Sequence, residues 1–129
     1  MIIPMLVCRD AAAELEFCQG GLDAQELSRR TDEHGNVVHA TLQIGSELLM
    51  LHDESSHLAS RAPAMDGSSS VVIYLYGPDV DAVMTQAIAA GARVILPAAD
   101  QFWGDRVGRI MDLAGHVWNI AARINSDPV

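Results

Sequence analysis

The stretch QFWGDRVGRIMDLAGHVWNIA, residues 101–121, decides the fold. We interpret it as two β-strands, 107–111 and 117–121, joined by a tight turn that contains Gly115. Aromatic residues stand at both ends of the stretch, and Gly104, Asp105 and Arg106 lie between them. The rest of the chain repeats elements of the same kind.

The sequence contains an internal duplication at a shift of 69 positions, which places Leu6 on Leu75 and Asp10 on Asp79. The same shift places Ala13 on Ala82, Leu49 on Trp118 and Leu51 on Ile120. Each half is predicted to form a strand, a helix and three further strands. We therefore expect a first module at 1–53 and a second at 71–129, with residues 54–70, rich in Ser, Ala, Pro and Gly, as a linker.

Both predicted helices have start and stop signals. Asp10 and Asp79 are expected to cap the helix N-termini by accepting hydrogen bonds from the first free backbone N–H groups. Gly20-Gly21 and Gly91 are expected to end the helices, because a left-handed residue is often needed there.

The segments QFWGDRVG and MDLAGHVW, together with IIPMLVCRD at residues 2–10, resemble sequences of the vicinal oxygen chelate superfamily of glyoxalases, bleomycin-resistance proteins and ring-cleaving dioxygenases. The similarity is closest to the small branch often labelled PhnB-like. It implies an α+β fold in which two βαβββ modules form an incomplete barrel with the helices outside. One such module cannot bury both faces of its sheet, whereas two side by side can.

Composition excludes several function classes. The 129 residues suit one compact domain, and the net charge of −9 with no basic cluster beyond Arg29-Arg30 argues against nucleic acid and anionic membranes. No segment reaches the roughly 20 apolar residues of a membrane span. The first ten residues lack a basic leader, so we expect a cytoplasmic location and free thiols at Cys8 and Cys18.

Strand alternation separates the residues that cover a helix from those that face an open cavity. In the strand 71–76, the aliphatic Ile73 and Leu75 should cover the helix, which leaves Tyr74 and Tyr76 facing the cavity. The same argument, with the aromatic and charged residues of the 101–121 stretch, predicts these ligand-binding residues: Met5, His39, Gln43, Met50, His52, Tyr74, Tyr76, Trp103, Arg106 and Asn119. Ordinary half-buried packing of the Met and Tyr side chains is the alternative.

Resemblance to the superfamily implies four metal-ligand positions, at or beside Ile3, Met50, Val72 and Asn119. Three of these residues are apolar, and divalent cations need imidazole, thiolate or carboxylate ligands. We therefore expect no metal and no cofactor. A displaced site at His39 and His52 stays open as an alternative, although Asp53 should point away from His52 in a strand.

No catalytic grouping of a known spacing is present, so we predict no catalytic residue. Asp105 and Arg106 are expected to pair within their turn and to orient Trp103, although Arg106 could also contact an anionic ligand group. His116 is expected to point to solvent.

Three functions remain. The first is a metal-free protein that binds and sequesters an apolar or aromatic small molecule such as an antibiotic, with Tyr74, Tyr76 and Trp103 stacking on planar groups. The second is a glyoxalase-like lyase, isomerase or dioxygenase with a displaced metal site, and the third is a protein whose main role is pairing with another subunit. Relatives of this fold commonly complete their cavities at a dimer interface, so a homodimer is expected.

Overall fold

Each half of the chain folds into a strand, a helix and three further strands. The computed structural model describes residues 1–127 and 129, so residue 128 of the predicted second module lies outside the described part. The elements are β1 (Met5–Cys8), α1 (Ala11–Leu22), β2 (Gln25–Thr31), β3 (Val37–Ile44), β4 (Glu47–Asp53), β5 (Val72–Tyr76), α2 (Val80–Ala89), β6 (Arg93–Asp100), β7 (Asp105–Met111) and β8 (Val117–Arg123).

The two halves have the same sheet topology. The strand orders are β1-β4-β3-β2 and β5-β8-β7-β6, and in each sheet the first pair is parallel while the others are antiparallel. Leu6 pairs with Leu51 in the first sheet, and Leu75 pairs with Ile120 in the second. These are positions that the 69-residue shift superimposes, so the duplication is one of structure as well as of pattern.

The helix starts agree with prediction, and one helix end does not. Asp10 Oδ1 accepts from the Ala13 N–H at 3.1 Å, and Asp79 Oδ1 accepts from the Ala82 N–H at 3.1 Å. Helix α1 does not end at Gly20-Gly21 but continues to Leu22, and Asp23 adopts the left-handed conformation with φ of 55°.

The predicted α+β fold with two βαβββ modules is confirmed, and the barrel is not closed. Helix α1 covers one face of the first sheet and α2 covers one face of the second, where the buried side chains include Leu15, Leu51, Ile110 and Trp118. Neither helix in the described part of the chain is long and apolar enough to cross a membrane.

The modules meet through their helices and through the β7–β8 turn. Helices α1 and α2 pack against each other, and His116 Nε2 lies 2.8 Å from the Val7 carbonyl oxygen of β1. The prediction that His116 points to solvent is therefore wrong. Its turn is held by Asp112, whose Oδ1 accepts from the His116 N–H at 2.9 Å.

No strand of one sheet lies beside a strand of the other in residues 1–127 and 129. Each sheet is covered by a helix on one face only. The second faces keep some exposed side chains, among them Met5, Tyr74 and Tyr76, which a ligand or another protein surface can contact.

Candidate ligand-binding site

The structure places nine of the ten predicted ligand-binding residues on two surfaces, and Arg106 lies apart from both. Five of them lie on the face of the first sheet that points away from α1: Met5, His39, Gln43, Met50 and His52. The alternate residues of the same strands, Leu42, Leu49 and Leu51, are buried in the core. We call these five residues the first-sheet surface.

Four others lie on or beside the face of the second sheet that points away from α2: Tyr74, Tyr76, Trp103 and Asn119. In the register, Tyr74 lies opposite Asn119, and Asn119 lies opposite Arg109. The alternate residues Trp118 and Ile120 belong to the core. We call this face, with Asp105 and Arg109, the second-sheet surface.

A buried carboxylate organises the second-sheet surface. Asp105, which is 1% exposed, accepts hydrogen bonds at Oδ2 from the Tyr74 and Tyr76 hydroxyl groups, both at 2.7 Å. Trp103 Nε1 donates to the same oxygen at 3.2 Å, and Arg123 Nη1 donates to Oδ1 at 2.6 Å. Four donors therefore satisfy one carboxylate, and they fix the three aromatic side chains relative to one another.

The two tyrosine rings lie across strand β8. Both residues belong to β5, whereas Asp105 belongs to β7, so side chains that reach it must pass over β8 between them. Ala121 of β8 is opposite Tyr76 and is fully buried, and a larger side chain there would compete with the rings for space. The ring centroids are 5.1 Å apart, and Tyr74 and Tyr76 remain 39% and 38% exposed. The rings thus present exposed aromatic area in a fixed position.

The charge states in this cluster follow from its contacts. Burial opposes ionisation of Asp105, but the hydrogen bonds from Tyr76, Tyr74 and Arg123 outweigh it and lower the pKa of the carboxyl group. Burial first, and then the hydrogen bond to Asp105, raise the pKa of Tyr74 to about 12. Asp105 is therefore an anion and Tyr74 a neutral hydrogen-bond donor at neutral pH, so neither tyrosine hydroxyl is arranged to act as a base.

Arg106 is separated from the other predicted ligand-binding residues. It donates to both carboxylate oxygens of Asp81 in α2, at 3.0 Å each, and to Asp100 Oδ1 at 3.1 Å. The expected pairing of Arg106 with Asp105 is therefore wrong. Adjacent residues of β7 point to opposite faces, so Asp105 faces the tyrosines while Arg106 faces the helix.

Arg109 and Arg123 were not predicted as site residues. Arg109 Nε donates to Asn119 Oδ1 at 2.7 Å, and Arg123 is the ion-pair partner of Asp105. Alternation along β7 would have found Arg109, because Asp105, Val107, Arg109 and Met111 share a face. Arg123 carries no such signal, since β8 was predicted to end at residue 121.

A cavity of about 690 Å³ lies between the modules beside β5. Its walls include Leu49, Leu75 and Trp118 from the helix-covered sides of the sheets. Of the predicted ligand-binding residues, Tyr74 and Tyr76 border it. Its volume lies within the range of about 300–1,000 Å³ that is usual for small-molecule sites.

Comparison with known proteins gives the family. The family profile of the Glyoxalase/Bleomycin resistance protein/Dioxygenase superfamily matches residues 3–120. The chain belongs to this superfamily. It is 36% identical over 132 residues to an uncharacterized protein of Mycobacterium bovis, with 98% of this chain and 87% of the relative covered. A protein of Mycobacterium tuberculosis (strain H37Rv), also uncharacterized, shows the same identity and the same coverage of this chain, with 78% of the relative covered.

Solved structures of other proteins share the fold. TioX from Micromonospora sp. ML1 matches with a TM-score of 0.74 and 23% identity, covering 95% of this chain and 97% of that chain. A glyoxalase-related enzyme from Fulvimarina pelagi matches with a TM-score of 0.75 and 20% identity, covering 95% and 87%. These identities support a common fold, and a shared fold does not by itself establish a shared function.

The residues present do not fit the divalent metal of the superfamily's enzymes. Ile3, Met50 and Val72 offer no suitable donor, and the amide oxygen of Asn119 already accepts a hydrogen bond from Arg109. No group of three or more His, Cys, Asp or Glu residues in the described part of the chain is arranged to hold a metal ion.

The alternative cluster near His52 is also unsuited to metal binding. Asp53 points away from His52, as predicted, and its oxygens accept from the Ala11 N–H at 2.8 Å and the Val37 N–H at 2.7 Å. His52 Nδ1 lies 2.6 Å from the Asp53 carbonyl oxygen. The carboxylate is thus engaged in fixing the start of α1 and the start of β3.

The two cysteines are buried, with free thiols. Burial is the main cause that raises the pKa of both thiols, and the carboxylate of Glu14 adds to the effect. Because the thiolate is the nucleophilic form, neither Cys8 nor Cys18 is suited to covalent catalysis.

Proposed function

We propose that this protein binds and sequesters a small planar aromatic molecule without a metal ion. The observation that carries the proposal is the fixed aromatic cluster of Tyr74, Tyr76 and Trp103 around the Asp105 carboxylate. Exposed aromatic faces that are held in place lose little conformational entropy when a ligand stacks on them. Each stacked pair contributes about 0.5–1.5 kcal/mol beyond the burial of its area.

The proposed site is completed by a second copy of the chain. In one copy, Met5 on the first of these faces and Tyr74 and Tyr76 on the second remain exposed, and the superfamily's plan places the faces of two modules around a common cavity. The first-sheet surface contributes the apolar Met5 and Met50 with the polar His39, Gln43 and His52, so its chemistry suits the rim and wall of such a cavity. A homodimer would bring this surface against the aromatic cluster of its partner.

We also propose that the protein belongs to the PhnB-like branch of the superfamily and that it is cytoplasmic. The 101–118 motif supports membership of the PhnB-like branch, and the free, buried thiols of Cys8 and Cys18 suit the reducing cytoplasm. Planar antibiotics and quinone-like compounds are the ligands that this chemistry favours.

A ligand screen tests the proposal. Protein purified without chelators is first analysed for Zn, Fe, Mn and Ni, and its unfolding temperature is then measured with a panel of planar antibiotics, quinones and neutral fused-ring compounds. Ligands that bind the native state raise the unfolding temperature. Tyr76→Ala should abolish the shift, whereas Phe102→Ala, at an adjacent aromatic residue that is 97% exposed and has no bond to Asp105, should keep it.

Two results would contradict the proposal. Stoichiometric metal in the purified protein would disprove the metal-free account and favour the enzyme alternative. An unchanged unfolding temperature with every planar compound would disprove aromatic binding.

A further inference from the structure

Arg109 is held in a fixed orientation on the second-sheet surface. Its Nε donates to Asn119 Oδ1 at 2.7 Å, and Asn119 is itself buried between β5 and β7. Its neighbours Gly108 and Ile110 face the other way, since a Cβ on Gly108 would lie 2.7 Å from Met84 of α2. With Nε engaged, the two Nη groups of Arg109 make no hydrogen bond within the described residues.

Within the described residues, no carboxylate forms an ion pair with Arg109. All eight basic residues of the chain are arginines, and four of them, Arg9, Arg29, Arg106 and Arg123, form ion pairs. Of the other four, Arg30, Arg61 and Arg93 are exposed to solvent, whereas Arg109 is half-buried. Asp105 does not balance it, because Arg123 and three uncharged donors already satisfy that carboxylate.

Of the three half-buried arginines among the described residues, Arg106, Arg109 and Arg123, only Arg109 forms no ion pair, although the protein has 17 acidic residues and a net charge of −9. Partial burial without a partner costs free energy that an anionic ligand recovers on binding. We infer that the ligand of the second-sheet surface is a planar aromatic acid, whose carboxylate is bound by the Nη groups of Arg109 while its rings stack on Tyr74 and Tyr76. This inference rests on the proposed function.

The spacing of the groups suits such a ligand. Tyr74, Asn119 and Arg109 are register partners on three adjacent strands, which places Tyr74 and Arg109 about 10 Å apart at their backbones. A two-ring system with one carboxylate spans that distance. The planar guanidinium matches one carboxylate in a two-point contact, whereas a phosphate dianion would meet stronger repulsion from the acidic protein.

The test compares acids with their neutral amides. Dissociation constants are measured by calorimetry for 2-naphthoate and 2-naphthamide, and for quinoline-2-carboxylate and quinoline-2-carboxamide. Wild type should bind each acid at least about tenfold more tightly than its amide, since a hydrogen bond to a charged group contributes more than a neutral one. The preference should weaken as salt concentration rises.

Two variants of Arg109 and one control variant test whether Arg109 causes the preference for acids. Arg109→Gln should bind acid and amide equally, and Arg109→Lys should restore part of the preference without the two-point contact. Arg61→Gln removes the same charge from an exposed residue of the linker and should keep the full preference. Circular dichroism and unfolding temperature check that each variant is folded.

The results distinguish failure of the aromatic-acid inference from failure of the proposed function. Equal binding of acids and amides by wild type overturns the aromatic-acid inference and leaves aromatic binding intact. A preference that persists in Arg109→Gln overturns the role of Arg109. Absence of binding by all four compounds in wild type overturns the inference, and the neutral planar panel then decides the proposed function separately.

Discussion

Asp105 determines how the aromatic side chains of the second sheet are arranged. A carboxylate that is almost completely buried is tolerated only when hydrogen bonds and an opposite charge replace its hydration. Tyr74, Tyr76, Trp103 and Arg123 supply these contacts. The geometry of the stacking surface therefore depends on one residue that the ligand need not touch.

The Asp105→Asn variant is expected to release the two tyrosines. Without the carboxylate, the pKa of Tyr74 should fall from about 12 towards its ordinary value, as followed by ultraviolet titration of the phenol groups. The unfolding temperature should also fall, because Arg123 loses its ion-pair partner. Asp100→Asn, which removes an exposed acceptor of Arg106 on the helix side, is the control and should leave the tyrosine titration unchanged. An unaltered Tyr74 pKa in Asp105→Asn would contradict the proposed network.

Glu14 is a buried carboxyl group between the modules. Burial, which penalises the charged form, is the main cause that raises its pKa well above the ordinary value, and Asp112 adds to the rise. The native state therefore holds a proton at pH values where the unfolded chain has lost it. The contribution of Glu14 to stability is therefore complete below the ordinary glutamate pKa, and it is lost as pH rises through the raised pKa of the native state.

The Glu14→Gln variant should remove this loss. We expect its free energy of unfolding, measured by urea denaturation between about pH 5 and pH 8, to fall less with rising pH than that of wild type. The neighbouring Cys8 and Cys18 thiols have raised pKa values and stay neutral throughout this window. A variant whose stability runs parallel to that of wild type across the window would show that Glu14 is ionised in the native state.

At this scale the sequence predicts which way a side chain faces better than which partner it contacts. Alternation placed Tyr74 and Tyr76 on the face away from α2, and they lie there. It did not reveal that Arg106 contacts Asp81 or that His116 contacts the Val7 backbone, because these partners are distant in sequence and are brought together only by the packing of separate elements.

Among the elements, the crossing of α1 and α2 joins the two modules. A Cβ on Gly21 would lie 3.1 Å from Ala90 Cβ and 3.1 Å from Phe17 Cε1, so the helices approach closely because this residue has no side chain. The two glycines at 20 and 21 predicted a helix end, yet Gly21 serves the contact between helices and Asp23 ends the helix. A helix stop signal and a packing glycine look the same in one sequence.

Gly21→Leu is expected to destabilise the protein by about 1–3 kcal/mol through steric strain at the crossing. Gly20→Leu is the matched control, because a Cβ on Gly20 meets nothing within 4 Å and the loss of a helical glycine should stabilise by about 0.5–1 kcal/mol. Chemical denaturation measures both variants. Equal effects of the two substitutions would mean that the helix crossing is not tightly packed at Gly21.

At the scale of the whole molecule, the proposed homodimer rests on the exposed side chains of the sheet faces that point away from the helices. Met5 stands at the start of the edge strand β1 and is 41% exposed, so it belongs to the surface that a second copy would cover. Sedimentation velocity should show a dimer. In thermal melts, the unfolding temperature should rise with protein concentration, because association stabilises the native state.

Met5→Glu should shift the dimer towards monomer, because a charge would be buried against the partner. Leu58→Glu places the same charge at an exposed apolar residue of the linker and should sediment as wild type. If the wild-type protein sediments as a monomer at all concentrations, the proposal that a second copy completes the ligand site is wrong.

The sequence by itself determined the duplicated βαβββ plan, the helix starts at Asp10 and Asp79, and the faces of the strands. These properties follow from local periodicity and from side chains that bond their own backbone, so they are visible in one sequence. Only the tertiary structure decided that Asp105 binds the aromatic side chains, that Arg106 faces the helix, and that Arg109 has no carboxylate partner in the part of the chain that the structure describes. The physical reason is that a buried charge takes its partner from whatever strand or helix lies beside it, and strand order and register set that neighbour.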